Sequence, residues 1–421
     1  MTPETPSPSP LSFFGLGIAP TLLESLERLK FTTPTPIQQK SIPIAIEGKD
    51  MIGIAQTGTG KTLAFGIPMI QRLAQVKGKG LVILPTRELA LQVDETYQKV
   101  GGRHGLRTAV IIGGASMERQ KQMLGRTPHV IIGTPGRIID HINQRTLNLH
   151  DVTILVLDEA DRMLDMGFAP QIKRILQTVP KERQTMLFSA TMPDDIVRIA
   201  SAHMKLPVRV EIARAGTTAE RVAQELFVVR KEQKNRLLDK LLTEYHGTVL
   251  VFSRTKFGAK KIARAVRAMG HSANEIHSDR SLAQRREALD GFKSGKYRIL
   301  VATDIAARGI DVTGIEVVLN YDIPENPEDY VHRIGRTARA GRAGRAISFA
   351  TPDQGSEVRD IEKLARVNLP ISKLPELPPE RPPLPYEKPA ERPYGRPGGG
   401  GHRPFGGSGG RSGGRRPFPR R

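Results

Sequence analysis

Met51-Ile52-Gly53-Ile54-Ala55-Gln56-Thr57-Gly58-Thr59-Gly60-Lys61-Thr62 runs from an apolar stretch through a glycine-rich turn into a helical pattern. That order reads as strand, loop and helix. Gly58 and Gly60 let backbone N–H groups turn inward around phosphates, and the helix start adds positive potential. Lys61 then reaches the β- and γ-phosphates, and the Thr62 hydroxyl ligates Mg²⁺. Ala55 stands where a phosphate loop usually has its first glycine. Ala55, Gln56, Thr57, Gly58, Thr59, Gly60, Lys61 and Thr62 are therefore expected to hold a nucleotide. The plain alternative is a glycine-rich turn with a stray lysine.

The same alternation continues on both sides. Strand-like runs are Met51–Ala55, Leu81–Leu84, Val130–Ile132, Ile154–Leu157, Thr185–Phe188, Val249–Phe252, Ile299–Ala302, Val317–Asn320 and Ala346–Ala350. They are short, apolar and rich in β-branched residues, as parallel strands buried on both faces should be. Helical patterns lie between them: Lys61–Ala74, Arg87–Lys99, Met117–Leu124, Gln171–Thr178, Lys256–Met269, Ser281–Lys293 and Asp329–Ile334. The fold class is α/β, with two tandem domains built on parallel sheets. The expected division is a disordered leader 1–11, a first domain 12–213, a hinge 214–221, a second domain 222–369 and a disordered tail 370–421.

The strand Ile154-Leu155-Val156-Leu157 ends in Asp158-Glu159-Ala160-Asp161. Mg²⁺ takes hard oxygen ligands and keeps several waters, so one carboxylate suffices. Asp158 is assigned that role beside Thr62. Glu159 stands where it could orient and deprotonate an attacking water. A solvated acidic turn is the bland reading.

The 421 residues carry 64 Lys+Arg against 43 Asp+Glu, a net charge of +21, and no Cys. Absent cysteine excludes disulfides, Cys-ligated metal sites and thiol catalysis, and fits a reducing cytoplasm. No apolar run approaches the roughly 18 residues of a membrane span. Met1–Pro10 has neither the basic region nor the apolar stretch of a signal peptide. The charge points to a polyanion. From Arg381 onward there are ten Lys/Arg and two Glu among Gly, Pro and Ser. Such a segment cannot bury enough apolar surface to fold alone. Its arginines, with Tyr394, Phe405 and Phe418, suit backbone attraction and base stacking.

Taken with Phe31-Thr32-Thr33-Pro34-Thr35-Pro36-Ile37-Gln38, Ser189-Ala190-Thr191 and His332-Arg333-Ile334-Gly335-Arg336-Thr337-Ala338-Arg339, these motifs resemble the DEAD-box RNA helicases of superfamily 2. The likeness covers about Ser12–Asn368, with the motifs in order. The resemblance implies two RecA-like domains and an enzyme that hydrolyses ATP with Mg²⁺ to separate short RNA duplexes. By the same likeness, Gln38 reads the adenine edge, with Phe31 and the upstream Phe13 beside it, and Asp311 contacts the ribose. Arg336 and Arg339 are arginine fingers, and His332 relays between the nucleotide and RNA sites. Asp161, Ser189 and Thr191 couple hydrolysis to strand separation. RNA contacts fall on Thr86, Arg87, Gly113, Gly114, Thr134, Gly136, Arg137, Arg254, Thr303 and Arg308.

Hydroxyls, glycine amides and arginines suit phosphate oxygens, so binding independent of base sequence is expected. Within the family the chain looks most like the bacterial RhlE group. One departure is visible: where relatives often have Gln-x-x-Arg, anchoring on Arg285 puts Leu282 at the Gln position. The expected partner is single-stranded or short duplex RNA, in ribosome precursors or with RNA-decay machinery, and no membrane; the protein is expected to be a monomer. A DNA translocase and an ATP-independent RNA chaperone acting through the tail remain open alternatives.

Overall fold

A computed structural model describes residues 12–56, 58–212, 222–307, 312, 314–338 and 344–379. The first domain holds seven strands: β1 (Met51–Ile54), β2 (Lys79–Ile83), β3 (Thr108–Ile111), β4 (Val130–Gly133), β5 (Val152–Leu157), β6 (Gln184–Ser189) and β7 (Val208–Glu211). All pair in parallel, in the order β3-β4-β2-β5-β6-β1-β7. The second domain holds β8 (Val222–Val228), β9 (Val249–Phe252), β10 (Ala273–Ile276), β11 (Ile299–Ala302), β12 (Val317–Asn320) and β13 (Gly344–Ala350). These are also parallel, in the order β10-β11-β9-β12-β13-β8. Two parallel-sheet α/β domains are what the sequence predicts.

Alternate residues of the central strands feed separate cores. Ile154 and Val156 of β5 join one apolar cluster, while Leu155 and Leu157 join another. Val249 and Val251 of β9 part from Leu250 and Phe252 in the same way. Burial on both faces explains why these strands are apolar throughout rather than alternating. Among the described residues no helix is long and apolar enough to cross a membrane.

The second domain extends further than the expected boundary at 369. Ile371 forms a parallel bridge with Leu226 of β8. Leu226 N donates to Pro370 O at 3.0 Å and Ser372 N donates to Leu226 O at 2.8 Å. Leu374 and Leu377 pack against the second domain's core. Arg236 then binds Pro378 O through Nε at 2.6 Å and Leu377 O through Nη2 at 3.2 Å. Residues 370–379 are thus an ordered strap along the β8 edge, placed in the tail by their proline content. The leader 1–11, the hinge 214–221 and the tail from 380 onward lie outside the described residues.

Candidate functional site

The order β5-β6-β1 brings the loops that follow these three interior strands together at the C-terminal edge of the first sheet, the end where its parallel strands finish. After β1, Gly58 and Gly60 take φ values of 85° and 89°, in the left-handed region glycine reaches freely. A Cβ on Gly60 would collide with the Gln38 amide. Gln38 donates from Nε2 to Gly60 O at 2.9 Å and accepts from Thr35 N at 2.9 Å, tying the helix Pro36–Ile46 to the loop. The helix Lys61–Leu73 opens on the loop, and buried Lys61 donates to Ala55 O at 3.0 Å. Phe13 is 4% exposed and joins the first domain's apolar cluster. Phe31 is 40% exposed.

After β5, Asp158 and Glu159 are both 2% exposed. Burial pushes the Asp158 carboxyl up, against the opposing pull of Lys61. Asp158 Oδ1 accepts from Glu159 N at 2.9 Å. Glu159 itself sits at φ 52°, a left-handed conformation that costs a non-glycine residue about 1–2 kcal/mol. Strain of this kind concentrates at functional positions. Asp161 reaches across to the loop after β6. Its Oδ2 accepts from Ala190 N and Thr191 N, both at 2.9 Å, and from Thr191 Oγ1 at 3.1 Å. Asp161 N donates to Ser189 Oγ at 3.2 Å. Asp161, Ser189 and Thr191, which the resemblance assigns to coupling, are therefore one hydrogen-bonded unit.

The second domain meets this edge with the helix Pro327–Ile334. Arg162, 2% exposed, donates from Nη1 to Glu159 Oε2 at 3.1 Å. Its Nη2 lies 3.0 Å from His332 Nδ1. His332 keeps some solvent contact, yet desolvation, followed by the Arg162 guanidinium, lowers its pKa to about 3. Asp161 and Glu159 pull it upward and Arg336 adds to the lowering. The ring is neutral, so Nδ1 accepts from Arg162. Arg336 is buried in the same corner. Arg333 is a structural tie: it grips Asp304 through two bonds of 2.6 and 2.7 Å and lies over the Phe252 ring.

A cleft of about 470 Å³ lies between the domains. Thr86, Arg87, Gly113, Gly114, Thr134, Gly136 and Arg137, the first-domain residues that the resemblance assigns to RNA, all line it. The Arg87 guanidinium lies over Gly113 and Gly114, where any Cβ would crowd it. From the second domain come Ser278, Arg285 and Ala306, none of which was assigned to RNA from sequence. Arg285 donates to Glu88 Oε2 at 3.0 Å across the cleft. Arg254 does not line the cleft; its Nη2 bonds Ile323 O at 3.2 Å. Thr303 is partly exposed beside β11. Thr57, Arg308, Asp311 and Arg339 lie outside the described residues.

Two family descriptions match the chain: "DEAD/DEAH box helicase" over residues 35–199 and "Helicase conserved C-terminal domain" over 233–341. The DEAD-box ATP-dependent RNA helicase CshA of Geobacillus kaustophilus is 47% identical over 370 residues, covering 87% of this chain and 79% of that protein. The ATP-dependent rRNA helicase RRP3 of Debaryomyces hansenii is 44% identical, covering 87% and 77%. Among solved structures, S. cerevisiae Dbp5 bound to RNA and ADP BeF3 matches with a TM-score of 0.77 and 32% identity, covering 86% of this chain and 95% of that one. Mss116p bound to ssRNA and AMP-PNP matches with a TM-score of 0.80 and 26% identity, covering 89% and 82%.

Proposed function

The chain belongs to the DEAD-box family of ATP-dependent RNA helicases, and on that premise we propose how its residues work. ATP lies on Gly58, Gly60, Lys61 and Thr62, with Gln38 at the adenine. One buried carboxylate and one hydroxyl at a loop mouth fit Mg²⁺, which needs few protein oxygens. Asp158 and Thr62 would hold it, and when bound it would neutralise phosphate charge. Glu159 orients the attacking water and takes its proton. Arg336, with Arg339, offsets the charge that develops on the transferred phosphoryl group, an effect worth about 10³–10⁵ in rate.

RNA lies along Thr86, Arg87, Gly114 and Arg137, held by its backbone. Because the hydrolytic residues and Arg336 belong to different domains, ATP and RNA both favour the closed arrangement and bind cooperatively. Asp161, Ser189 and Thr191 carry that closure to the RNA, which is bent and locally unwound. The observation that carries this reading is the contact of Arg162, held to Glu159, with His332 of the other domain. Residues 381–421 tether RNA, so their deletion should raise the RNA KM and flatten its salt dependence. The proposed cellular targets are ribosome precursors and decaying messenger RNA, reached as a cytoplasmic monomer.

The test is ATPase stimulation by single-stranded RNA and DNA of one sequence. RNA should stimulate strongly, DNA weakly, and Lys61→Ala should respond to neither. Equal stimulation by DNA would overturn the RNA assignment.

A further inference from the structure

The helix Leu282–Lys293 of the second domain begins with a fixed first turn. Ser281 Oγ accepts from Gln284 N at 3.3 Å, and Ser281 N donates to Gln284 Oε1 at 3.0 Å. The later residues Ala288, Leu289 and Phe292 fill the second domain's own core. The first turn does not. Leu282 is partly buried against the apolar cluster of the first domain, which contains Leu89 and Ile112. Arg285, one turn on, makes the 3.0 Å bond to Glu88, with both side chains under a tenth exposed.

An apolar contact and an ion pair thus leave one helical turn for the opposite domain. They differ in kind. The Arg285–Glu88 pair must offset the desolvation of two charges, so its net contribution to closing is small. Leu282 removes apolar surface from water on both sides and carries no such penalty. It also cannot do what glutamine at this position could, because it has neither a donor nor an acceptor for RNA.

We propose that Leu282 is a positioning residue for domain closure. It is an apolar clasp that draws from protein packing part of the closing free energy that a polar residue here would draw from RNA. The proposal rests on the reading of closure given above. It follows that this protein closes on less RNA than its Leu282→Gln variant does. Its closure also depends less on salt, because apolar burial is not screened.

The test uses the full chain, labelled for energy transfer between exposed sites of the two domains. A non-hydrolysable ATP analogue is present and single-stranded RNA is titrated. Leu282→Ala should move the RNA half-point for closure upward about five- to tenfold, as expected for a partly buried leucine. Leu282→Gln should move it upward too, and Leu282→Met should stay within about twofold because methionine keeps the apolar volume. At saturating RNA, kcat should be unchanged in all three, so the effect appears in KM alone. An unmoved half-point in Leu282→Ala refutes the proposal. So does a Leu282→Gln protein that closes on less RNA than the wild type. A wild type that never closes refutes instead the underlying reading of closure.

Discussion

Acidification should open the closed arrangement through His332. In that arrangement the ring accepts from Arg162, and its pKa is lowered from the ordinary 6.5 to about 3. Asp161, Glu159 and Arg336 face it, and Asp329 and Arg333 line the same corner. Separation of the domains removes Arg162 and returns water, so the ordinary value is restored. The closed form then binds fewer protons than the open form, and closing is disfavoured as pH falls below 6.5. At pH 7.5 the ring is neutral in both forms and contributes nothing. At pH 5.5 the open form is about nine-tenths protonated, so the closing equilibrium falls about tenfold, or ~1.4 kcal/mol. This factor depends on the open-state value and hardly on the closed one, provided the latter lies below about 4.5. The assay is the RNA half-point for closure with a non-hydrolysable ATP analogue, read by energy transfer between the domains. The wild type should need about tenfold more RNA at pH 5.5 than at 7.5. His332→Gln, whose amide still accepts from Arg162 but does not titrate, should shift less than twofold by the same linkage. Asp158 is common to both proteins, so the difference between them isolates His332. Equal shifts in the two proteins would refute the reasoning.

Three further outcomes follow from the packing. Gly114→Ala places a Cβ against the Arg87 guanidinium at a backbone φ of 76°, so RNA affinity measured by anisotropy should fall about tenfold while ATP affinity holds. Asp161→Asn loses part of the three-bond acceptor at Oδ2, so duplex unwinding per ATP hydrolysed should drop about tenfold, more than RNA-stimulated hydrolysis does. Arg333→Lys breaks the paired grip of a buried guanidinium on the partly exposed Asp304 carboxylate. The second domain should lose about 1.5–3 kcal/mol in a denaturant titration, the range for hydrogen bonds to charged groups.

The nine strands legible in the sequence and the four that were not differ by position. β1, β2, β4, β5, β6, β9, β11, β12 and β13 are interior; β3, β7, β8 and β10 are the four sheet edges. An interior strand is covered on both faces and reads as an unbroken apolar run. β7 has three exposed residues out of four, Val208, Arg209 and Glu211, and β8 interleaves Gln224 and Glu225, so neither shows that run.

The site divides similarly. Thr86, Arg87, Gly113, Gly114, Thr134, Gly136 and Arg137 come from three separated motifs that the family resemblance grouped, and the fold brings all seven to one cleft. Ser278, Arg285 and Ala306 complete that surface from another domain, and nothing in their local pattern carries the cross-domain distance. Arg162 follows Asp161 directly, yet its bond to His332 spans 170 positions. Phe13 reads from sequence equally as a motif aromatic or as core, and in the structure it joins the first domain's apolar cluster. Leu374 and Leu377 are spaced among prolines, which hid their packing against the second domain's core.

The strap at 370–379 has a consequence for how such proteins can diversify. It occupies the edge of β8, where an unpaired strand would otherwise invite another chain to add to the sheet and aggregate. Whatever follows is attached beyond the grip of Arg236 on Leu377 and Pro378. Appended sequence can therefore be exchanged or lost after Pro379 without uncovering the sheet, whereas a cut before Ile371 turns the same helicase into a sticky edge. The strap makes the terminal extension interchangeable by keeping its turnover separate from the solubility of the domain that carries it.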